Sequence, residues 1–156
     1  MSPATVADPV AIEEVFARVS LLAHLNQRQR ARLAQLATTR SYDTDSIIVR
    51  QGDTSMALYV VLTGQARIER ESEAGKTVQV ASVAHGGVFG EMGLIEDLPR
   101  AATVIAEEPT ECALLAKWDF QNELRTDPDI ALALLPVLGA RIRELDDRLV
   151  RLEHRD

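Results

Sequence analysis

Leu58-Tyr59-Val60-Val61-Leu62-Thr63-Gly64 is a run of apolar and β-branched residues closed by a glycine. Ile47-Ile48-Val49 precedes it across the turn signal Gln51-Gly52-Asp53. Two alternating runs follow, Ala66-Arg67-Ile68-Glu69-Arg70 and Val78-Gln79-Val80-Ala81-Ser82-Val83, separated by the turn-like Glu73-Ala74-Gly75-Lys76. Short β-prone runs punctuated by glycine predict strands rather than helices. With Ala102-Thr103-Val104-Ile105 and Cys112-Ala113-Leu114-Leu115 they make residues 39–117 an all-β section that closes as a sandwich or rolled barrel.

Helical patterns flank that section, so the expected class is α+β, mainly β, in one domain over residues 1–156. Within residues 1–38, Asp8-Pro9 reads as a cap and first-turn proline, and Ile12, Val15, Phe16 and Val19 follow at helical spacing. Asn26 can cap a second helix with the apolar stripe Leu25, Leu33 and Leu36; Arg28, Arg30 and Arg32 around it read as a solvated face. Within residues 118–156, Trp118 and Phe120 are expected to anchor the join between roll and helices. Asp127-Pro128-Asp129 opens a last helix reaching almost to Asp156. Leu138, Ile142, Leu145, Leu149 and Leu152 recur there in steps of four and three, the seam of a two-stranded coiled coil. A homodimer through this helix is the expectation; the alternative is that the seam packs on the chain's own β section. Glu144 with Arg148 and Asp147 with Arg151 are favourably ordered four-residue pairs.

Composition narrows the function classes. The 156 residues carry 17 basic and 24 acidic side chains, a formal charge of −7, which disfavours a stand-alone nucleic-acid-binding face. The single cysteine, Cys112, cannot form an internal disulfide and fits a reducing cytoplasm. No run is apolar over the ~18 residues a membrane span needs. His24, His85 and His154 lack metal-ligand spacing, Gly86, Gly87 and Gly90 are not followed by a Gly-Lys-Ser/Thr triplet, and no serine sits in a Gly-x-Ser-x-Gly frame. The chain therefore reads as a binder without a metal, and not as an enzyme.

The chemistry concentrates where the strand pattern is interrupted, from Ala84 to Thr103. Gly90 precedes a run, Glu91 to Asp97, long enough for one or two helical turns, whose first N–H groups would face an anion. Pro99 stops the turn and Arg100 follows, the only Lys or Arg from Thr77 through Ala116. A guanidinium suits bidentate contact with phosphate oxygens, and Ala101 and Ala102 beside it let backbone approach the same ligand. Glu91 could accept hydrogen bonds from sugar hydroxyls. These groups together describe a site for a nucleoside monophosphate with a free ribose hydroxyl; the same spacing also allows Arg100 and Glu91 simply to pair with each other.

Phe89-Gly90-Glu91-Met92-Gly93-Leu94-Ile95 followed by Pro99-Arg100-Ala101-Ala102-Thr103-Val104 closely resembles the phosphate-binding cassette of the cyclic nucleotide-binding domain family. That family includes regulatory subunits of cAMP-dependent protein kinase and bacterial catabolite-activator regulators. Gln51-Gly52-Asp53, the Leu58 to Gly64 run and Gly87-Val88-Phe89-Gly90-Glu91 resemble its β-roll landmarks, so the likeness covers nearly the whole chain. It implies a double-stranded β-helix, or jelly roll, flanked by N-terminal helices and a long C-terminal helix, with residues 89–104 as the cassette.

By that likeness Arg100 neutralises the cyclic phosphate, Glu91 accepts the ribose 2′-hydroxyl, and Gly90, Ala101 and Ala102 present close backbone. Met92 stands beside them, packing the short helix on the roll. Alanine after the arginine matches cassettes that prefer cAMP, with cGMP left open. Leu145 and Asp146 are similar in place to the small hydroxyl residues with which the dimeric regulators contact the base; Asp146 could accept from an exocyclic amine. The resemblance implies a cyclic-nucleotide sensor that signals through movement of the C-terminal helix to a partner protein. The bacterial regulators continue into a helix-turn-helix reader, whereas this chain stops at Asp156, so a sensor without the reader is expected. The alternatives are a ligand-free dimerisation or scaffold module of the same fold, and a sensor piece of a DNA-binding regulator.

Overall fold

The computed structural model describes residues 9–154. Helices α1 (Pro9–Phe16) and α2 (Gln27–Leu36) lead into strands β1 (Thr38–Tyr42), β2 (Ile47–Val49), β3 (Ala57–Thr63), β4 (Gln65–Glu71), β5 (Thr77–Ala84) and β6 (Val88–Phe89). A single 3-10 turn, Glu91–Leu94, then interrupts the strands before β7 (Thr103–Ala106) and β8 (Thr110–Ala116), and α3 (Lys117–Thr126) and α4 (Asp129–Glu153) close the chain. The strands form two antiparallel four-stranded sheets, ordered β1-β8-β3-β6 and β2-β7-β4-β5. This is the expected β-roll between N-terminal helices and a long C-terminal helix. Asp8, the expected cap of α1, lies outside the described residues.

Strand β3 explains why the apolar run at residues 58–62 is continuous rather than alternating: both of its faces are buried. Leu58 and Val60 pack outward on the helices in a cluster with Ile12, Phe16, Leu22, Leu33, Phe120 and Ile130. Ala57, Tyr59 and Val61 face inward with Ile48, Ala66, Val83, Val104 and Cys112. Each fully buried large side chain contributes about 1.5–3 kcal/mol, so the helices are fastened to one sheet by the same strand that lines the interior of the roll.

Asn26 caps α2 as its sequence suggests, its side chain accepting from the Gln29 N–H at 2.8 Å while Gln29 answers to the Asn26 N–H at 3.0 Å. Arg28 and Arg32 are exposed, as a solvated face predicts, but Arg30 corrects that expectation. Arg30 is largely buried against Glu13 at 2.9 Å, and Arg32 reaches Glu123 of α3 at 3.2 Å. They fasten α2 to its neighbours because those neighbours offer carboxylates at the rim of the helical cluster. Trp118 is a second correction: it is 63% exposed, while Phe120 alone is buried at the join. The two stand two positions apart on α3, too close along the sequence to share one face.

Helix α4 changes character along its length. Ile130, Leu134 and Val137 are buried and Leu138 packs against the helical cluster, whereas Ile142, Leu145, Leu149 and Leu152 are each more than half exposed. Beyond Leu138 the seam does not pack on the chain's own β section. Pro136 sits inside the helix and removes the N–H that would bond the Leu132 carbonyl. Glu144 and Arg148 pair at 2.8 Å; among the described residues Asp147 and Arg151 form no such pair. No described helix is long and apolar enough to cross a membrane.

Candidate functional site

The 3-10 turn, the Leu98–Ala102 segment and the inward faces of β2, β4 and β7 enclose a cleft of about 380 Å³. Val49, Ile68 and Val104 form its apolar wall, while Gly90, Glu91, Met92, Arg100, Ala101 and Ala102 line the opposite side. Its volume lies within the ~300–1,000 Å³ of small-molecule sites. Six of the seven residues expected at the site are thus brought together. Asp146 is not: it is exposed on α4, a little over one turn beyond Arg141.

Gly90 is required twice at the start of the turn. Its φ of +81° lies in the left-handed region, and a Cβ there would stand 2.1 Å from Arg100 Nη1 and 2.8 Å from the Ala57 carbonyl oxygen. A Cβ on Gly93 would meet Ser55 Oγ at 1.9 Å. The glycines let the turn lie directly on the arginine and on the loop before β3. That turn is four residues of 3-10 helix, the lower end of the one or two helical turns its sequence allows. So short a turn carries little helix dipole, and Arg100 is the cationic side chain beside it in the cleft lining.

The backbone of Arg100 is held by the Gln51–Ser55 loop. Arg100 N–H donates to the Asp53 carbonyl at 2.7 Å and Gly52 N–H donates to the Arg100 carbonyl at 2.9 Å. Thr103 Oγ1 accepts from Gln51 N–H at 2.9 Å, and the Gln51 side chain is fixed by two bonds to the Glu71 backbone, at 2.8 and 3.0 Å. The Gln51-Gly52-Asp53 turn signal thus marks the clamp on the arginine, a role that one-dimensional spacing does not reveal.

The guanidinium is half-buried, and desolvation pushes its pKa below the ordinary arginine value. Among the described residues its side chain forms no ion pair. Nη2 donates to the Ala57 carbonyl at 2.8 Å, and Cζ lies 5.4 Å from the centre of the Tyr59 ring. Arg100 and Glu91 do not pair with each other. Arg100 is thus, among the described residues, a carboxylate-free cation in the cleft wall with most of its five N–H donors unspent.

Glu91 turns instead toward the helices. Its Oε1 accepts from Arg141 Nη2 of α4 at 2.6 Å and from Ser20 Oγ at 3.4 Å, and its Oε2 accepts from Leu21 N–H at 3.4 Å. Arg141 also donates to Ser20 Oγ and to Met92 Sδ. Sequence reasoning missed the apolar wall of Val49, Ile68 and Val104 as part of the site, and it missed Arg141. Arg141 lies among several charged residues of α4, and only the docking of that helix on the cassette singles it out. Lys117 closes the far end of the cassette: it is buried, donates to the Glu96 carbonyl at 2.6 Å and bonds the Asp97 carboxylate.

The family model for the cyclic nucleotide-binding domain matches residues 39–127, more than half of the chain. A cAMP-dependent protein kinase regulatory subunit of Yarrowia lipolytica is 34% identical over 106 residues, covering 68% of this chain and 28% of that protein. A cyclic AMP receptor protein of Thermus thermophilus is 36% identical over 107 residues, covering 69% of this chain and 50% of that protein. The chain therefore spans half or less of the length of these two relatives. Among solved structures, the N-terminal domain of a transcriptional regulator from Streptomyces coelicolor superposes with a TM-score of 0.78 at 30% identity, covering 86% of this chain and 94% of that one. With the roll, the glycine-led turn and the unpaired arginine in one place, the chain belongs to the cyclic nucleotide-binding domain family.

Proposed function

We propose that this domain binds a cyclic nucleotide, cAMP in preference to cGMP, and reports its occupancy through α4 as a regulatory protein and not as an enzyme. The observation that carries the proposal is Arg100, a half-buried guanidinium without a carboxylate partner among the described residues, set in the wall of a cleft of suitable size. The phosphate takes the guanidinium fork with backbone from Gly90, Ala101 and Ala102; the base takes the apolar wall of Val49, Ile68 and Val104. Alanine at position 101 offers no hydroxyl to guanine, and two relatives carry cAMP in their names, which supports cAMP.

Glu91 links binding to output. It is the acceptor proposed for the ribose 2′-hydroxyl, and it is also the carboxylate that Arg141 holds. A ligand that draws on Glu91 changes the bond tying α4 to the cassette, and so shifts α4 between two arrangements to the extent that it prefers one of them. The exposed Ile142, Leu145, Leu149 and Leu152 support a homodimer through α4, in which Asp146 of a second copy would approach the base, and a partner protein would read the helix pair. Neither DNA nor a membrane is a proposed partner, and no metal takes part. Buried Cys112 fits a cytoplasmic setting.

A second function has one observation in its favour: with Glu91 already satisfied by Arg141, Ser20 and Leu21, the fold could serve as a ligand-free dimerisation module. Thermal melting decides between them. At ~100 times its dissociation constant, a ligand adds about 2.7 kcal/mol, or roughly 5–11 °C for a chain of this size. Hydrogen exchange in α4 should change with it. A melting temperature unmoved by millimolar cAMP and cGMP would refute the sensor and leave the module.

A further inference from the structure

We infer that Tyr59 is a positioning residue for the nucleotide phosphate: its ring holds the Arg100 guanidinium in place for the cleft, although Tyr59 does not itself line it. The inference rests on the nucleotide-binding function proposed above and names a residue on which the affinity of that site depends.

Strand alternation places Ala57 and Tyr59 on the same inward face of β3, and Arg100 touches both. Ala57 receives Nη2 through its carbonyl oxygen at 2.8 Å, and the Tyr59 ring lies 5.4 Å from Cζ, within the ~6 Å over which an aromatic face attracts a cation. The ring is itself immobilised. It is 8% exposed, pairs in register with Phe89 across β3 and β6, and lies nearly parallel to the Phe89 ring, 4.8 Å between centres and 6° between planes. Phe89 leads directly into Gly90, whose missing Cβ leaves the space that Arg100 Nη1 fills.

A free arginine samples many rotamers, and a ligand that had to freeze it would bind more weakly by the entropy lost. Tyr59, Ala57 and the backbone at Gly90 remove the freedom beforehand. The two protein-side contacts are not equivalent. The carbonyl fixes one nitrogen, and the ring fixes the plane of the fork, which sets whether two N–H groups reach two phosphate oxygens together. The Tyr59 hydroxyl plays no part in this, so a phenylalanine should serve equally well.

The test is calorimetric titration of the intact chain with cAMP, for the wild type, Tyr59→Phe, Tyr59→Leu, Arg100→Gln and the Tyr59→Leu/Arg100→Gln double variant, with ligand-detected NMR for millimolar affinities. Tyr59→Phe should bind within twofold of wild type. Tyr59→Leu should bind about tenfold more weakly, equivalent to 1.4 kcal/mol, and should change affinity less than twofold once Arg100 is already glutamine. An equal loss in both backgrounds would show that Tyr59 only packs the roll, and an unchanged Tyr59→Leu affinity would show that it does nothing for the site; either overturns the inference. If Tyr59→Leu does not fold, fluorinated phenylalanines at position 59 keep the ring volume and weaken its negative face; affinity should fall with fluorination, and a flat series overturns the inference. Absence of cAMP binding by the wild type is a separate result: it refutes the proposed function, and the positioning role falls with it.

Discussion

Replacing Gly90 by alanine should damage the fold modestly and the site severely, and the structure separates the two effects. An L residue held at φ +81° costs about 1–2 kcal/mol, or roughly 2–8 °C in melting temperature for a domain of this length. The added Cβ also falls 2.8 Å from the Ala57 carbonyl and 2.1 Å from Arg100 Nη1. The carbonyl belongs to a central strand and cannot yield, so the guanidinium must leave its place. It then loses its aim at the phosphate, a charge-assisted contact of about 1.5–3 kcal/mol, which corresponds to roughly 10–150-fold in affinity. Melting curves of the free variant measure the first effect and calorimetric titration with cAMP the second. Gly90→Ala with wild-type melting and wild-type affinity would refute the placement of Gly90 against Arg100. A large loss of stability with unchanged affinity would show that the arginine does not hold the phosphate.

Other consequences follow from groups outside the cleft. Burial raises the Cys112 thiol from 9.0 to about 12 and the Tyr42 hydroxyl from 10.0 to about 12. Above pH ~9 the unfolded thiol has lost a proton that the folded one keeps, so stability should be constant up to that pH and fall as the pH rises toward 12; flat alkaline melting would contradict this. At neutral pH Cys112 should resist a disulfide reagent until the chain is unfolded. Phe120→Ala should destabilise by about 3–5 kcal/mol, as expected for a fully buried aromatic, while Trp118→Ala should stay within about 0.5 kcal/mol; equal losses in urea titration would contradict the observed division of labour on α3. Leu149→Lys should leave monomer stability almost unchanged because the side chain is 59% exposed, yet abolish self-association in sedimentation if α4 is the dimer seam. A variant that sediments as the wild type would argue against that seam.

Much of the fold is legible in the sequence because its main strands have strong local signals. The apolar run at residues 58–62 and the alternation at residues 66–70 each occur where one residue's burial decides its neighbour's. Strands β1 and β6 carry no such signal: Thr38–Tyr42 is a mostly polar strand paired only with β8, and Val88–Phe89 is two residues long. In the site, the glycines and Arg100 are visible from type and order because φ and charge are local properties. The partners of Glu91 are not, since Ser20, Leu21 and Arg141 are at least 50 residues away and meet it only when the segment after α1 and the helix α4 pack on the cassette. Trp118 misleads for a related reason: which face of α3 turns inward is set by Phe120, and one helix buries one stripe.

Calorimetric titration of the wild-type chain and Arg100→Gln with cAMP, in the same buffer, tests nucleotide recognition most directly. The wild type should bind one cAMP per chain, and the variant should bind at least tenfold more weakly while melting within a few degrees of it. Equal affinity in the two proteins, or no heat of binding from a wild type shown to be folded, would contradict the role given to Arg100.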